Sequence, residues 1–144
     1  MSDHPTPAGS YLTPRPEKAS VADAMRHGIF SCGANTSLRE AARTMSLHHV
    51  HAVVVSDPAN GSLYGVLTDG ALLEALLGGE DERPLSEVAD RDLHTISGEE
   101  PLLDAARLMC NRGVSHLVVL DTGGKPTGML STLDVAGMLA WGEA

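Results

Sequence analysis

The sequence predicts an α/β fold made from one βαββα unit used twice, and three observations carry that prediction. First, the chain resembles itself when displaced by 64 positions: Leu38, Ala41, Ala42, Arg43, Met45, Val50, Val54, Val55 and Asp57 return as Leu102, Ala105, Ala106, Arg107, Met109, Val114, Val118, Val119 and Asp121. Nine identities in the twenty positions from 38 to 57 stand against about one or two for unrelated segments. Second, β-branched runs alternate with stretches whose apolar residues fall at helical spacing. Third, hydrophobic residues make up 42% of the chain and aromatics only 3%, so the core is Leu, Val, Ala and Met, which suits close helix–sheet packing. A long period present only twice points to two small paired domains rather than a solenoid.

Taken in order, residues 1–18 carry four prolines and a Gly-Ser pair and too little apolar pattern to offset the entropy of ordering, so they are expected to form a flexible tail. Tyr11 and Leu12 are its one possible anchor. Copy one is 19–79 and copy two 80–144. Each opens with a short apolar strand, Ile29–Cys32 or Leu93–Ile96. A helix follows, with Leu38, Ala41, Ala42 and Met45 on one face; Ser37 and Glu40 form a capping box before it, and Pro101 opens its counterpart as first helical residue. Then comes a hairpin, Ala52–Val55 with Leu63–Leu67 and Leu117–Leu120 with Thr127–Leu130. Final helices at Leu72–Leu77 and Val135–Trp141 close the copies, the first ended by Gly78-Gly79, and the acidic stretch Glu80–Arg83 is the natural linker. One copy alone has a thin core, so the two are expected to pack sheet against sheet as a pseudo-twofold pair.

The bulk properties exclude several functions. Ten basic against nineteen acidic residues give a net charge of −9, which opposes binding to nucleic acid or an anionic membrane. No apolar run approaches a membrane span and no signal peptide is evident, so a cytoplasmic location is expected. Cys32 and Cys110 lack paired-ligand spacing and read as free thiols. No Ser or Cys has a nucleophile-elbow context, and the acids fall mostly in linkers and helix starts, so no catalytic residue is assigned. The His48-His49-Val50-His51 cluster could ligate a metal, but a helix C-terminus enriched in cations is the preferred reading, since no second ligand cluster accompanies it.

The informative stretch is Gly128-Met129-Leu130-Ser131-Thr132-Leu133-Asp134, a strand-to-helix junction. Glycine admits a ligand close to the backbone, Ser131 and free helix N–H groups can face a phosphate, and Asp134 can accept from ribose hydroxyls. The alternative is a plain capping box, Ser-x-x-acid. The duplicated pattern, the strand ends Val-Val-Val-Ser-Asp and Val-Val-Leu-Asp, and this junction resemble a tandem pair of CBS domains, a Bateman module named after cystathionine β-synthase, over about residues 19–141. The resemblance implies an adenosine-type ligand (AMP, ADP, ATP or S-adenosylmethionine) in the cleft between the repeats, a homodimer, and a stand-alone sensor acting on an enzyme or transporter in trans. It implies Asp134 as ribose ligand, Ser131 as a phosphate or ribose contact with Gly128 and Thr132 also at the ligand, Thr95, Ile96 and Ser97 against the adenine, and His51 and His116 near phosphates.

Copy one departs from that pattern. Its junction reads Gly65-Val66-Leu67-Thr68-Asp69-Gly70-Ala71, so Thr68 keeps the hydroxyl while Ala71 stands where the ribose acid belongs. Asp69 lies two residues too early to replace it. One competent site is therefore expected. The apolar final helices, with Leu72, Leu73, Leu76 and Leu77 in one copy and Val135, Met138 and Leu139 in the other, are expected to form the dimer face. Two rivals remain: a ligand-free interaction module, and a metal protein using the His-rich segment.

Overall fold

A computed structural model describes residues 13–143. In chain order the elements are α1 (Val21–Ala24), β1 (Arg26–His27), β2 (Ser31–Gly33), α2 (Leu38–His48), β3 (Ala52–Ser56), β4 (Leu63–Thr68), α3 (Asp69–Leu77), α4 (Leu85–Val88), β5 (Thr95–Ser97), α5 (Leu102–Arg112), β6 (His116–Leu120), β7 (Pro126–Ser131) and α6 (Thr132–Trp141). They form two compact units. One runs from Ile29 to Leu93; the other combines the segment ending at Gly28 with everything from His94 onward. The units therefore do not coincide with the sequence repeats: residues 19–28 join the second copy and 80–93 stay with the first.

In the Ile29–Leu93 unit, β2 runs parallel to β3, which pairs antiparallel with β4. Leu38, Ala41 and Met45 of α2 pack with Val53, Val55, Leu67 and Ala75, so alternate strand residues face the helices. The other unit repeats this with β5, β6 and β7 and adds β1 at the β7 edge. There Leu102, Ala105 and Met109 of α5 meet Leu117, Val119, Leu130 and Met138. Val54 and Val118 are left out of both helix-side clusters, as alternation requires.

Short straps, absent from the sequence-based expectation, complete each core. Val21 and Leu85 are fully buried, and each contributes about 1.5–3 kcal/mol of apolar burial. The straps dock alike: Leu102 N–H donates to the Ala19 carbonyl at 2.9 Å and Leu38 N–H to the Arg83 carbonyl at 3.0 Å. Residues 80–83 are accordingly tied to α2 rather than free, with Arg39 bonded to Asp81 and Glu82 at 2.7 and 2.6 Å. The expected free tail also shortens, because Thr13 is buried and its carbonyl accepts from Glu143 N–H at 3.0 Å. Tyr11, Leu12 and the rest of 1–12 lie outside the described residues.

Local signals were partly met. Ser37 caps α2 by accepting from Glu40 N–H at 3.2 Å, but the reciprocal carboxylate bond of a full box is not among the contacts of that cap. Pro101 stands at the N-cap of α5 rather than its first turn, and α3 and α6 begin three residues earlier than the apolar pattern suggested, directly after Thr68 and Ser131. Helix α2 ends on His49 in the left-handed region at φ 53°, where α5 uses Gly113. Of the expected dimer face, Val135 and Met138 turn into the core and Leu72 leans on it. Leu73, Leu76, Leu77 and Leu139 remain exposed, and Leu133, outside that expectation, is exposed as well.

Candidate functional site

The β7–α6 junction is built from its own sequence. Ser131 ends β7 in an extended conformation, and its Oγ accepts from Asp134 N–H at 3.2 Å while Asp134 Oδ2 accepts from Ser131 N–H at 2.9 Å. The expected capping box is therefore present, with both residues half-buried. It does not exhaust them: the Ser131 hydroxyl keeps its proton to donate, and the Asp134 carboxylate keeps further acceptor sites. Capping and ligand binding are thus compatible, because the box holds the carboxylate in place. Thr132 N–H donates to the Ser115 carbonyl at 3.1 Å, so its amide is already bonded within the chain while the residue is exposed. Among the described residues the Leu133 N–H meets no acceptor, and it is the open donor of this helix start.

Gly128 has a role other than the expected one. A Cβ there would collide with the Arg26 carbonyl and the Met25 side chain, so glycine admits the strap strand β1, not a ligand. Gly65 does the same for the Asp90 carbonyl, which an added Cβ would meet at 2.6 Å.

The sheet register sorts the remaining residues. His116 pairs with Ser131, and its Nδ1 lies 2.9 Å from Ser115 Oγ. Thr95 pairs with Val118, which pairs with Met129. Thr95 thus lies two strands across and two residues along from Ser131, on the order of 12 Å, the span of an extended nucleoside monophosphate. Ile96 packs into the helix-side core. Ser97 pairs with Leu120 at the far end. Thr95, Ile96 and Ser97 together line an open recess of about 570 Å³ with Glu100, Asp104 and Asp121, and it includes neither Ser131 nor Asp134.

The second junction, in the other unit, holds Thr68 and His51. Thr68 pairs with Ala52, and its Oγ1 accepts from Ala71 N–H at 3.3 Å. His51 precedes β3, so its counterpart under the repeat is Ser115, and His116 corresponds to Ala52. The two histidines are therefore not equivalent positions. His51 Nδ1 lies 2.8 Å from Asp69 Oδ2, and Asp69 Oδ1 accepts from Gly70 N–H at 2.9 Å. Asp69 is committed locally. The other histidines diverge: His48 stacks on Phe30 with centroids 4.2 Å apart, and His49 is the left-handed cap. Among the described residues no group of three or more His, Cys, Asp or Glu is placed to hold a metal ion. No helix there is long and apolar enough to cross a membrane.

The straps are what sequence reading missed around this site, although the displacement that aligns the copies also places Val21, Asp23 and Ala24 on Leu85, Glu87 and Val88. The signal was a similarity of type rather than identity.

Comparison with known proteins places this architecture. The family model for the CBS domain matches residues 21–78 and again 85–140. An uncharacterized 17.7 kDa protein of Acidianus ambivalens is 28% identical over 71% of this chain, which spans 62% of that relative. The CBS domain-containing protein YhcV of Bacillus subtilis is 32% identical over 72% of this chain and 74% of its own length. Among solved structures, a CBS domain protein from Pyrobaculum aerophilum complexed with AMP superposes with a TM-score of 0.75 at 21% identity, covering 84% of this chain and 98% of that one. The CBS domain pair of protein MJ0100, in complex with 5′-methylthioadenosine and S-adenosyl-L-methionine, gives 0.77 at 22% identity, covering 85% and 96%. With two family-model matches over most of its length and the same fold in both solved structures, this chain belongs to the CBS domain family and carries two copies of the domain.

Proposed function

We propose that this chain is a regulatory module that binds one adenosine-type nucleotide at the β7–α6 junction and signals to a partner protein in trans, without catalysis of its own. The observation that carries the reading is the half-buried Ser131–Asp134 box, whose spare hydroxyl proton and carboxylate acceptors stand beside the open Leu133 N–H. Asp134 is suited to ribose hydroxyls and Ser131 to a phosphate oxygen. Thr95 lies at a distance that a base can reach. Support comes from the solved relatives bound to AMP and to S-adenosylmethionine. Self-association accompanies this reading: Leu73, Leu76 and Leu77 on α3 and Leu133 and Leu139 on α6 are at least half exposed, more apolar surface than a small monomer needs. A cytoplasmic location follows as part of the same proposal.

A thermal-shift panel of AMP, ADP, ATP, S-adenosylmethionine, NAD and a guanine nucleotide tests it. An adenosine ligand at 100 times its dissociation constant stabilises the fold by about 2.7 kcal/mol, with one ligand per chain. Asp134→Asn removes most of that gain. If no adenosine compound moves the melting curve while the chain sediments as a dimer, the module is an interaction scaffold and the ligand reading is dropped.

A further inference from the structure

We infer that Arg26, carried on the strap strand β1, is the phosphate-binding cation of this junction, so that the site takes an adenosine phosphate in preference to the uncharged nucleoside or a cationic sulfonium nucleoside. The inference rests on the proposed site and specifies its ligand class.

The register places Arg26 opposite Met129, two residues before Ser131 on the neighbouring strand β7. Leu117, Val119 and Leu130 turn to the helix-side core, as does Met25. Alternation therefore puts Arg26 on the opposite face, with Met129, Thr95, His116 and Ser131. Diagonal cross-strand neighbours have Cβ atoms about 7–8 Å apart, within reach of a long side chain. Arg26 is exposed and has no ion-pair partner among the described residues. Of the other Lys and Arg residues of this unit, Arg15 and Arg107 are paired with Glu17 and Asp104, Lys125 lies in the hairpin at the far end of β7, and Lys18 and Arg112 stand before α1 and in the last turn of α5, outside the strands that form this face.

Charge favours a cation here. A phosphate at Ser131 would sit beside the Asp134 carboxylate in a chain of net charge −9, and beside the Ser131 hydroxyl, the Leu133 amide and the His116 ring the permanently charged group on this face is Arg26. An arginine presents a fork that matches phosphate oxygens. The other junction is arranged in the opposite sense. There Asp90 occupies the position of Arg26, pairing with Val66 as Arg26 does with Met129. The Gly70 N–H that corresponds to Leu133 N–H is already filled by the Asp69 carboxylate. One junction thus offers a cation and an open amide, whereas the other holds two acids.

Titration calorimetry on the full chain with adenosine, AMP and S-adenosylmethionine separates the outcomes. In the parent, AMP binds more tightly than either of the others. Arg26→Ala weakens AMP on the order of 10- to 100-fold, leaves adenosine unchanged, and flattens the dependence of AMP affinity on salt. Arg26→Lys lies between, and Lys125→Ala matches the parent. Unchanged adenosine binding also certifies that the Arg26→Ala site is folded. Equal losses for adenosine and AMP would assign Arg26 a structural role and overturn the inference, as would an unchanged AMP affinity or a parent that prefers the sulfonium. A parent that binds no adenosine compound overturns the proposed site itself, and that result appears before any variant is made.

Discussion

The two strand-to-helix junctions share a backbone and differ in where their carboxylates sit. At β7–α6 the acid is the third residue of the helix, where it closes a reciprocal box with Ser131 and keeps capacity to spare. At β4–α3 the acid is the first residue, Asp69, and it turns onto Gly70 N–H and His51. Every amide of that first turn is satisfied from within the chain: Asp69 N–H by the His51 carbonyl, Gly70 by Asp69 and Ala71 by Thr68. Moving one carboxylate by two positions converts a helix start that can receive an anion into one that carries its own. The comparison teaches that the ligand question is decided by which donors the protein has left unspent, not by whether the motif is present.

The largest effect concerns what both junctions share, the glycine under each strap. Gly128→Ala sets a Cβ against the Arg26 carbonyl, and Gly65→Ala sets one against the Asp90 carbonyl, in each case against backbone that cannot swing aside. Each substitution is expected to cost about 1–3 kcal/mol through overpacking. Hydrogen exchange should then rise at Val21 N–H in the first and at Asp90 N–H in the second. If Gly128→Ala melts with the parent, the strap is held elsewhere and the equivalence of the two glycines breaks.

Next in size is the cap itself. Asp134→Ala removes the carboxylate that accepts Ser131 N–H, and denaturant unfolding of the unliganded chain should fall by about 1 kcal/mol. Ala71→Asp supplies the missing partner for Thr68, and a gain of a few tenths of a kcal/mol is expected from the helix dipole and the completed box. The pair sharpens the comparison because only the first should also cost nucleotide affinity. A loss on Ala71→Asp would mean that Asp69 repels the new acid more than the cap attracts it.

A third difference lies at the ends of α2 and α5. His49 adopts φ 53° where Gly113 does the same without a Cβ, and the left-handed region costs a side-chain-bearing residue roughly 1 kcal/mol. His49→Gly is expected to raise stability by up to about 1 kcal/mol and Gly113→Ala to lower it by a similar amount, read by chemical denaturation. Opposite signs are the point. If both variants destabilise, His49 makes a contact worth more than its strain.

How much of this was legible follows from the kind of signal each feature leaves. The duplicated βαββα units were readable because identical residues recur at core-facing positions, and Leu38, Ala41 and Met45 do face the core with Leu102, Ala105 and Met109. The Ser131–Asp134 box was readable because a cap is local. The straps were not, since four-residue helices such as Val21–Ala24 have too few turns to show a period and are held by long-range bonds, as from Val21 N–H to the Glu100 carbonyl. That gap also misassigned Gly128, whose neighbour Arg26 is a hundred residues away in sequence. The histidines were paired by proximity to a strand, whereas register, which fixes the facing side, separates His51 from His116 by one position. Residues 69–70, the first two of α3, gave no hint that a carboxylate would fold back on its own helix.

The smallest expected effect tests whether the straps differ in how they are pinned. The Ile29–Leu93 unit ties its strap with charge: Arg39 bonds Glu82 and Asp81, and these partners, Glu82 first, hold its guanidinium above the ordinary arginine value. Under the repeat Arg39 becomes Leu103, and Asp81 and Glu82 become Glu17 and Lys18, so the other strap has no such clasp. The Arg39 side chain is 53% exposed, and solvent screening leaves exposed pairs weak. The backbone bonds from Leu38 and Arg39 N–H to the strap remain in any variant. Arg39→Ala should therefore lower the melting temperature only slightly at low salt, and the difference should vanish near 1 M salt, where the screening length is about 3 Å. A large, salt-independent loss would mean that the aliphatic stem of Arg39 packs as Leu103 does in the other copy, and the two straps would then be held by the same apolar contact rather than by different means.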